Sequence, residues 1–189
     1  MIFRKNGIEF ELSPLFFIIT SLLLLFDKSG YMSFSMLFSL CHELGHIIAM
    51  FIIHKPPRAI KIKIYGFEIN TVSFSIAETI FISAAGPLIN LLIVLFCLIL
   101  SSNINYKLLD LIYINIVIAA FNLLPVKNLD GGDILFSILT LIFSRNRADK
   151  LFRLISLSFS IIIMIFGIFL FFSGFYIFPF FPKISTILP

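Results

Sequence analysis

Charge is scarce in this chain: Asp, Glu, Lys and Arg make up 13% of its 189 residues. Soluble domains carry about 25%. With 60% hydrophobic residues and a mean hydropathy of +1.11, arranged in long blocks, the sequence leaves no polar face for water. That excludes an ordinary soluble domain. There are only two cysteines, Cys41 and Cys97, and they fall in different apolar blocks, which argues against a disulfide framework. No basic run is interleaved with aromatics, so no nucleic-acid groove is indicated, and the net charge of +4 reports on membrane topology instead. The first fourteen residues hold Arg4, Lys5, Glu9 and Glu11 but no small-residue cleavage site, so the first span is expected to serve as its own targeting signal. Internal repeats, low-complexity segments and a second soluble domain are also missing. The expectation is a single membrane domain over residues 1–189.

What is present is a series of apolar blocks. Residues 2–12 alternate around Asn6-Gly7, a hairpin turn signal. Ser13-Pro14 reads as a helix start, with Ser as N-cap and Pro at the first helical position. The run that follows to Phe26 is 13 residues, short of the ~30 Å hydrocarbon core. Tyr31 to Ile53 is long enough to span. Further blocks run from about Ala77 to Leu100, Leu108 to Leu124 and Leu154 to Phe178, with a short segment from Ile134 to Phe143. Residues 58–76 alternate with period two, with a slip near Thr71, and read as a β-hairpin at the membrane surface, able to pair with the N-terminal one. The expected fold class is membrane α-helical: five to six transmembrane helices with a small membrane-associated β-sheet. Lys55, Arg58, Lys61 and Lys63 follow the second span, and Arg145, Arg147, Lys150 and Arg153 follow the fourth. By the positive-inside rule these stretches, and the N-terminus, are cytoplasmic. Five crossings put the C-terminus outside, and six require the tail to re-enter.

Chemistry concentrates in the second span, at His42-Glu43-Leu44-Gly45-His46. Residues i and i+4 share one helix face, about 6 Å apart, so two imidazoles there can grip one metal ion. The intervening glutamate can reach a water on that metal. Placing these groups at mid-membrane depth is costly unless they are paired or metal-bound. A catalytic zinc needs a third protein ligand and an open position for water. Ala49 and Ile52 stand where a metzincin would carry glycine and a third histidine. His54 sits beside Lys55 at the membrane edge and reads as interfacial. Glu68 reads as a strand residue, and Glu78 as a cap on the third block. Asp130 follows Pro125, which ends the fourth block, and precedes Gly131-Gly132, which let the backbone turn tightly. Spacing alone leaves Asp130 level with an ordinary turn residue. Asn115 and Asn90 read as interhelical glue, and Cys41 points about 100° away from His42.

At this point the chain resembles the site-2 protease family of intramembrane metalloproteases, and most nearly its sporulation stage IV FB branch. His42 to His46 occupies a span. Ala85-Gly86-Pro87-Leu88-Ile89-Asn90 is similar to the family's A-G-P-x-x-N. Asn122-Leu123-Leu124-Pro125 with Leu129-Asp130-Gly131-Gly132 is similar to its N-x-x-P…D-G block. The resemblance covers roughly residues 31–143, the expected catalytic core. It implies that His42, His46 and Asp130 ligate Zn2+, that Glu43 is the general base, and that Asn122 positions the substrate peptide. It also implies that Gly86 and Pro87 shape the packing of the third span, and that the substrate is a membrane protein in a bacterial cell membrane, such as a pro-sigma factor; an anti-sigma factor or a remnant signal peptide is as compatible with these residues. The family's usual Pro two residues before the Asp is Asn128 here. PDZ and CBS modules are not seen in the sequence. Asn122, Lys127 and Asn128 are expected to line a water-filled cavity. A metal transporter using the same side chains, or an inert scaffold, are the competing readings. The HExxH spacing and the lack of an inverted repeat speak against the first, and the intact set of His42, Glu43, His46 and Asp130 against the second.

Overall fold

The computed structural model describes residues 2–5, 8–63, 66–70, 73–100 and 106–173. It is mostly helical, with a small sheet. The N-terminal alternation forms strands β1 (Ile2–Lys5) and β2 (Ile8–Leu12), paired antiparallel. The second alternating stretch forms β3 (Ala59–Lys63) and β4 (Gly66–Asn70). The two hairpins join through a parallel β2–β3 pair, with Phe10 opposite Ile60, to give the order β1-β2-β3-β4. A parallel pair needs a long crossover. Here the crossover is a pair of helices, α1 (Pro14–Leu25) and α2 (Tyr31–Ile52).

Pro14 does occupy the first turn of α1, but the Ser13 side chain makes no capping hydrogen bond. The connection from α1 to α2 is held by one carboxylate. Asp27 accepts the backbone N–H and the hydroxyl of Ser33, both at 2.9 Å, and the hydroxyl of Ser29. Gly30, with φ +77°, supplies the left-handed residue at the entry to α2.

The strand pattern does not continue to Ile76, as the alternation suggested. Residues 73–75 are irregular and α3 (Ile76–Leu100) begins there. Ser75 and Glu78 form a capping box: the Ser75 N–H donates to Glu78 Oε2 at 2.8 Å and the Glu78 N–H to Ser75 Oγ at 3.4 Å. Thr71 and Val72, at the expected slip, lie outside the described residues. Three helices follow: α4 (Tyr106–Asn122), α5 (Asp130–Ile142) and α6 (Arg145–Phe172).

Of the five to six spans expected, only α2, α3 and α6 are long and apolar enough to cross a membrane among the described residues. The shortfall is one of length. At 12 and 13 residues, α1 and α5 reach roughly 20 Å, against a ~30 Å hydrocarbon core. A re-entering tail would lie beyond residue 173, outside the described residues. α6 begins at Arg145 and not near Leu154, so its basic residues sit on helical turns and not in a loop.

Helix α3 is central and packs against α2, α4 and α5, while α6 packs on α5. Beside the buried Met50, Ile82 and Ile114, the buried faces are rich in small and polar residues: His42, Gly45, His46 and Ala49 on α2, Ser83, Gly86 and Asn90 on α3, and Asn115 and Ala119 on α4. Leu44, Ile48, Phe51, Leu88, Leu92 and Leu95 point outward. This inversion suits a bilayer. Lipid removes the hydrophobic drive between helices, so small residues that allow close approach and polar ones that bond across the interface make the contacts. At Gly45 an added Cβ would meet the Ala85 carbonyl oxygen at 2.8 Å, which fixes how closely α2 and α3 lie.

Candidate metal centre

His42 and His46 stand one turn apart near the middle of α2, both buried, with ring centroids 4.9 Å apart. Asp130 is the first residue of α5. Its Oδ2 lies 3.0 Å from His42 Nε2 and its Oδ1 lies 3.4 Å from His46 Nε2. One ligand atom from each of the three falls within 4.8 Å of the others.

The hydrogen bonds assign the tautomers. His46 Nδ1 is 2.8 Å from the carbonyl of Ile82, which can only accept, so this nitrogen carries the proton. His42 Nδ1 is 2.7 Å from Asn90 Oδ1. The Asn90 amide donates to the carbonyl of Phe38 at 3.4 Å and to Asn115 Oδ1 at 2.9 Å, and Asn115 donates to the carbonyl of Leu111. The chain of bonds therefore makes Asn90 Oδ1 the acceptor and His42 Nδ1–H the donor. In neutral rings this leaves the lone pairs on both Nε2 atoms, and both face a carboxylate. Acceptors converging at 3.0–3.4 Å require a cation or a proton among them. Two imidazole nitrogens and one carboxylate are a donor set that catalytic zinc takes, with outer hydrogen bonds to match. The residues therefore fit the metal.

Glycines seat the site. A Cβ on Gly86 would stand 2.4 Å from His46 Nε2 and 2.7 Å from His42 Nε2, so only glycine lets α3 pass beneath both rings. Gly131 and Gly132 are not a tight turn, as their sequence suggested, but the first turn of α5. A Cβ on Gly131 would lie 2.0 Å from the Leu123 carbonyl oxygen, and one on Gly132 would lie 2.1 Å from that of Val126. They let α5 press onto the 123–127 segment and bring Asp130 to the histidines. Asn128 has φ +70°, a conformation proline cannot adopt. The path before Asp130 thus differs from one with proline at that position.

A cavity of about 370 Å³ opens onto this cluster. Glu43, Asn122 and Asn128 line it, together with the three clustered residues. Asn122 turns its amide back to its own helix, donating to the Ile118 carbonyl at 3.0 Å. Lys127, expected on the cavity wall, does not line it. Its backbone N–H instead bonds Ser156 Oγ on α6 at 2.8 Å. The other sequence candidates lie elsewhere. Glu78 pairs with Lys55 at 2.7 Å. His54 bonds the carbonyl of Ile52, Glu68 stands opposite Lys61 in the sheet, and Cys41 is outside the cluster.

Two features of the site lie outside the motif roles that the sequence suggests. Asn90 does link helices, but it also orients His42. Asp133, one turn beyond Asp130, lines the cavity, and two acids at i and i+3 opening a short helix were the available signal.

A profile of Peptidase family M50 matches residues 100–167. A curated zinc metalloprotease from Methanocaldococcus jannaschii is 37% identical over 93 residues, 46% of this chain. The chain spans 27% of the length of that relative. Among solved structures, the site-2 protease from Methanocaldococcus jannaschii superposes with a TM-score of 0.64 at 27% identity, covering 89% of this chain and 85% of that one.

Proposed function

From the site-2 protease (M50) family that these three likenesses jointly support, we propose that the chain is an intramembrane zinc metalloendopeptidase. Its substrate is a membrane protein, cut within the bilayer. The observation that carries this reading is the convergence of two lone-pair imidazole nitrogens and one carboxylate beside a glutamate in a single cavity.

His42, His46 and Asp130 would hold the zinc, which when bound supplies Lewis acidity toward a carbonyl and toward water. Asn90 and the Ile82 carbonyl hold the two imidazoles in the tautomer that presents Nε2. Glu43 follows His42 directly and reaches the same cavity, where its carboxylate takes a proton from water and returns it to the leaving nitrogen. Asn122 lines the cavity, and the amide groups that its bond to the Ile118 carbonyl leaves over would orient the substrate backbone. Lipid would otherwise surround a site at this depth, so the cavity serves as the route for water.

The finer reading places the N-terminus and the sheet in the cytoplasm of a bacterial cell. Its support is the positive-inside pattern, and also the parallel β2–β3 pair, which puts both hairpins on one side of the α1–α2 crossover. The substrate is a membrane-tethered precursor of a transcription regulator, such as a pro-sigma or anti-sigma factor. Motif resemblance to the sporulation branch supports that choice.

The test is co-expression of wild type and Glu43→Gln with tagged membrane-tethered candidates, with zinc assayed on both. Both proteins are expected to hold about one zinc while only the wild type cleaves. Cleavage by Glu43→Gln, or metal passage across proteoliposomes without cleavage, would overturn the reading.

A further inference from the structure

The charge on the cavity wall is unbalanced in one direction. Glu43, Asp130 and Asp133 line it, and among the described residues neither lysine nor arginine does. Asp130 faces the two histidines. Asp130 and Glu43 together would offset one bound divalent cation, which leaves Asp133 over. Among the described residues the Asp133 carboxylate takes part in no ion pair, although Lys55 and Lys61 each have an acidic partner. Its backbone N–H bonds the Leu129 carbonyl as part of helix α5, and the residue is exposed on the cavity wall. A carboxylate placed on a wall beside reacting groups, with no protein cation to meet it, is matched by a cation on whatever enters.

We propose that Asp133 is a specificity-determining residue that selects a substrate carrying lysine or arginine close to the scissile bond. The inference rests on the protease reading and names the chemistry of its substrate. Residues at i and i+3 on a helix are about 5–6 Å apart at Cβ, and an extended chain advances about 3.3 Å per residue. The cation therefore sits about two residues from the bond that is cut. Membrane segments carry such cations at their ends, where the apolar run stops. Glutamate at the same place meets like charge and is refused.

The probe is a synthetic single-span peptide in detergent micelles, its central residues set one at a time to Lys, Gln or Glu. Binding is measured to zinc-loaded Glu43→Gln protein, and cleavage by the wild type is measured in parallel. At one or two adjacent positions Lys is expected to bind about tenfold more tightly than Glu, with Gln between. Adding Asp133→Asn is expected to shrink that ratio to about twofold, and Asp133→Lys to invert it. Zinc content should be unchanged in Asp133→Asn. A Lys preference that survives Asp133→Asn, or the absence of any charge preference, overturns the proposal. If the charge order appears in binding but the wild type cuts no peptide, the protease reading falls and the role of Asp133 stands. If peptides are cut with no charge order, the reverse holds. If no peptide is bound or cut, both fall.

Discussion

Replacing Gly86 with alanine should empty the metal site, although residue 86 offers no ligand. The added Cβ would stand 2.4 Å from His46 Nε2, 2.6 Å from His46 Cε1 and 2.7 Å from His42 Nε2. Carbon and nitrogen in contact sit about 3.5 Å apart, so both rings must retreat by about 1 Å. Neither is free to do so. His42 is tied through Nδ1 to Asn90 and His46 through Nδ1 to the Ile82 carbonyl, both in buried surroundings. Breaking either tie costs about 1–3 kcal/mol, and overpacking adds about 1–3 kcal/mol. Outer hydrogen-bond lesions alone weaken metal binding by about 10–100-fold. Displacing both imidazoles directly should therefore exceed about 100-fold. The assay is zinc per chain by mass spectrometry after dialysis against graded chelator, with circular dichroism to confirm that the helices persist. Gly167→Ala is the control, because nothing lies within 4 Å of a Cβ added there. Full zinc occupancy at unchanged affinity in Gly86→Ala would refute the reasoning.

Two further outcomes follow from the same geometry. Asn90→Ala should weaken zinc binding by about 10–100-fold and lower the melting temperature. It leaves the His42 Nδ1–H and the buried Asn115 Oδ1 without their present partner, a change that chelator titration and thermal unfolding both read. Asp27→Ala should cost about 1 kcal/mol in helix α2, as the loss of an N-terminal cap does, measured by denaturant unfolding in detergent. Burial pulls the Asp27 carboxyl upward, but hydrogen bonds from Ser33 and Ser29 outweigh it and hold the value below the ordinary aspartate range. A depressed value in the fold means that the stabilisation is present above about pH 3.9 and is lost as the pH falls through the folded value. Asp27→Asn should remove that acid-side dependence.

Much of this architecture is written locally. Asn6-Gly7 between alternating runs, Pro14 at a helix start and the long apolar blocks of α2 and α3 each carry a local signal, and the corresponding strands and helices form. Where the reading failed, a longer-range contact or a neglected local cue decided. The alternation through Val72 to Ile76 read as strand, but the Ser75 to Glu78 capping box starts α3 there, and that box was itself in the sequence. The last block is bounded at about Leu154, short of the start of α6 at Arg145, because apolar runs mark only the part of a helix in lipid. A basic face does not stop a helix, and buried Ala148 anchors that part of α6. Gly131 and Gly132 read as turn residues. They open helix α5, and they are glycine because the carbonyls of Leu123 and Val126 come too close for any side chain, a fact of tertiary packing. The candidate ligands were legible from spacing for His42 and His46, but Asp130 is 88 residues from His42 and needed motif resemblance. The bond from Asn90 to His42 spans 48 residues, and no periodicity encodes it.

The most direct test is X-ray absorption at the zinc edge on the purified wild type and on Asp130→Ala. The expected result for the wild type is one zinc per chain in a nitrogen and oxygen shell containing two imidazoles, with the shell altered and zinc weakly held in Asp130→Ala. A sulfur atom in the shell, which would bring Cys41 into the site, or an identical spectrum and occupancy in Asp130→Ala, would contradict the assignment of His42, His46 and Asp130 as the metal centre.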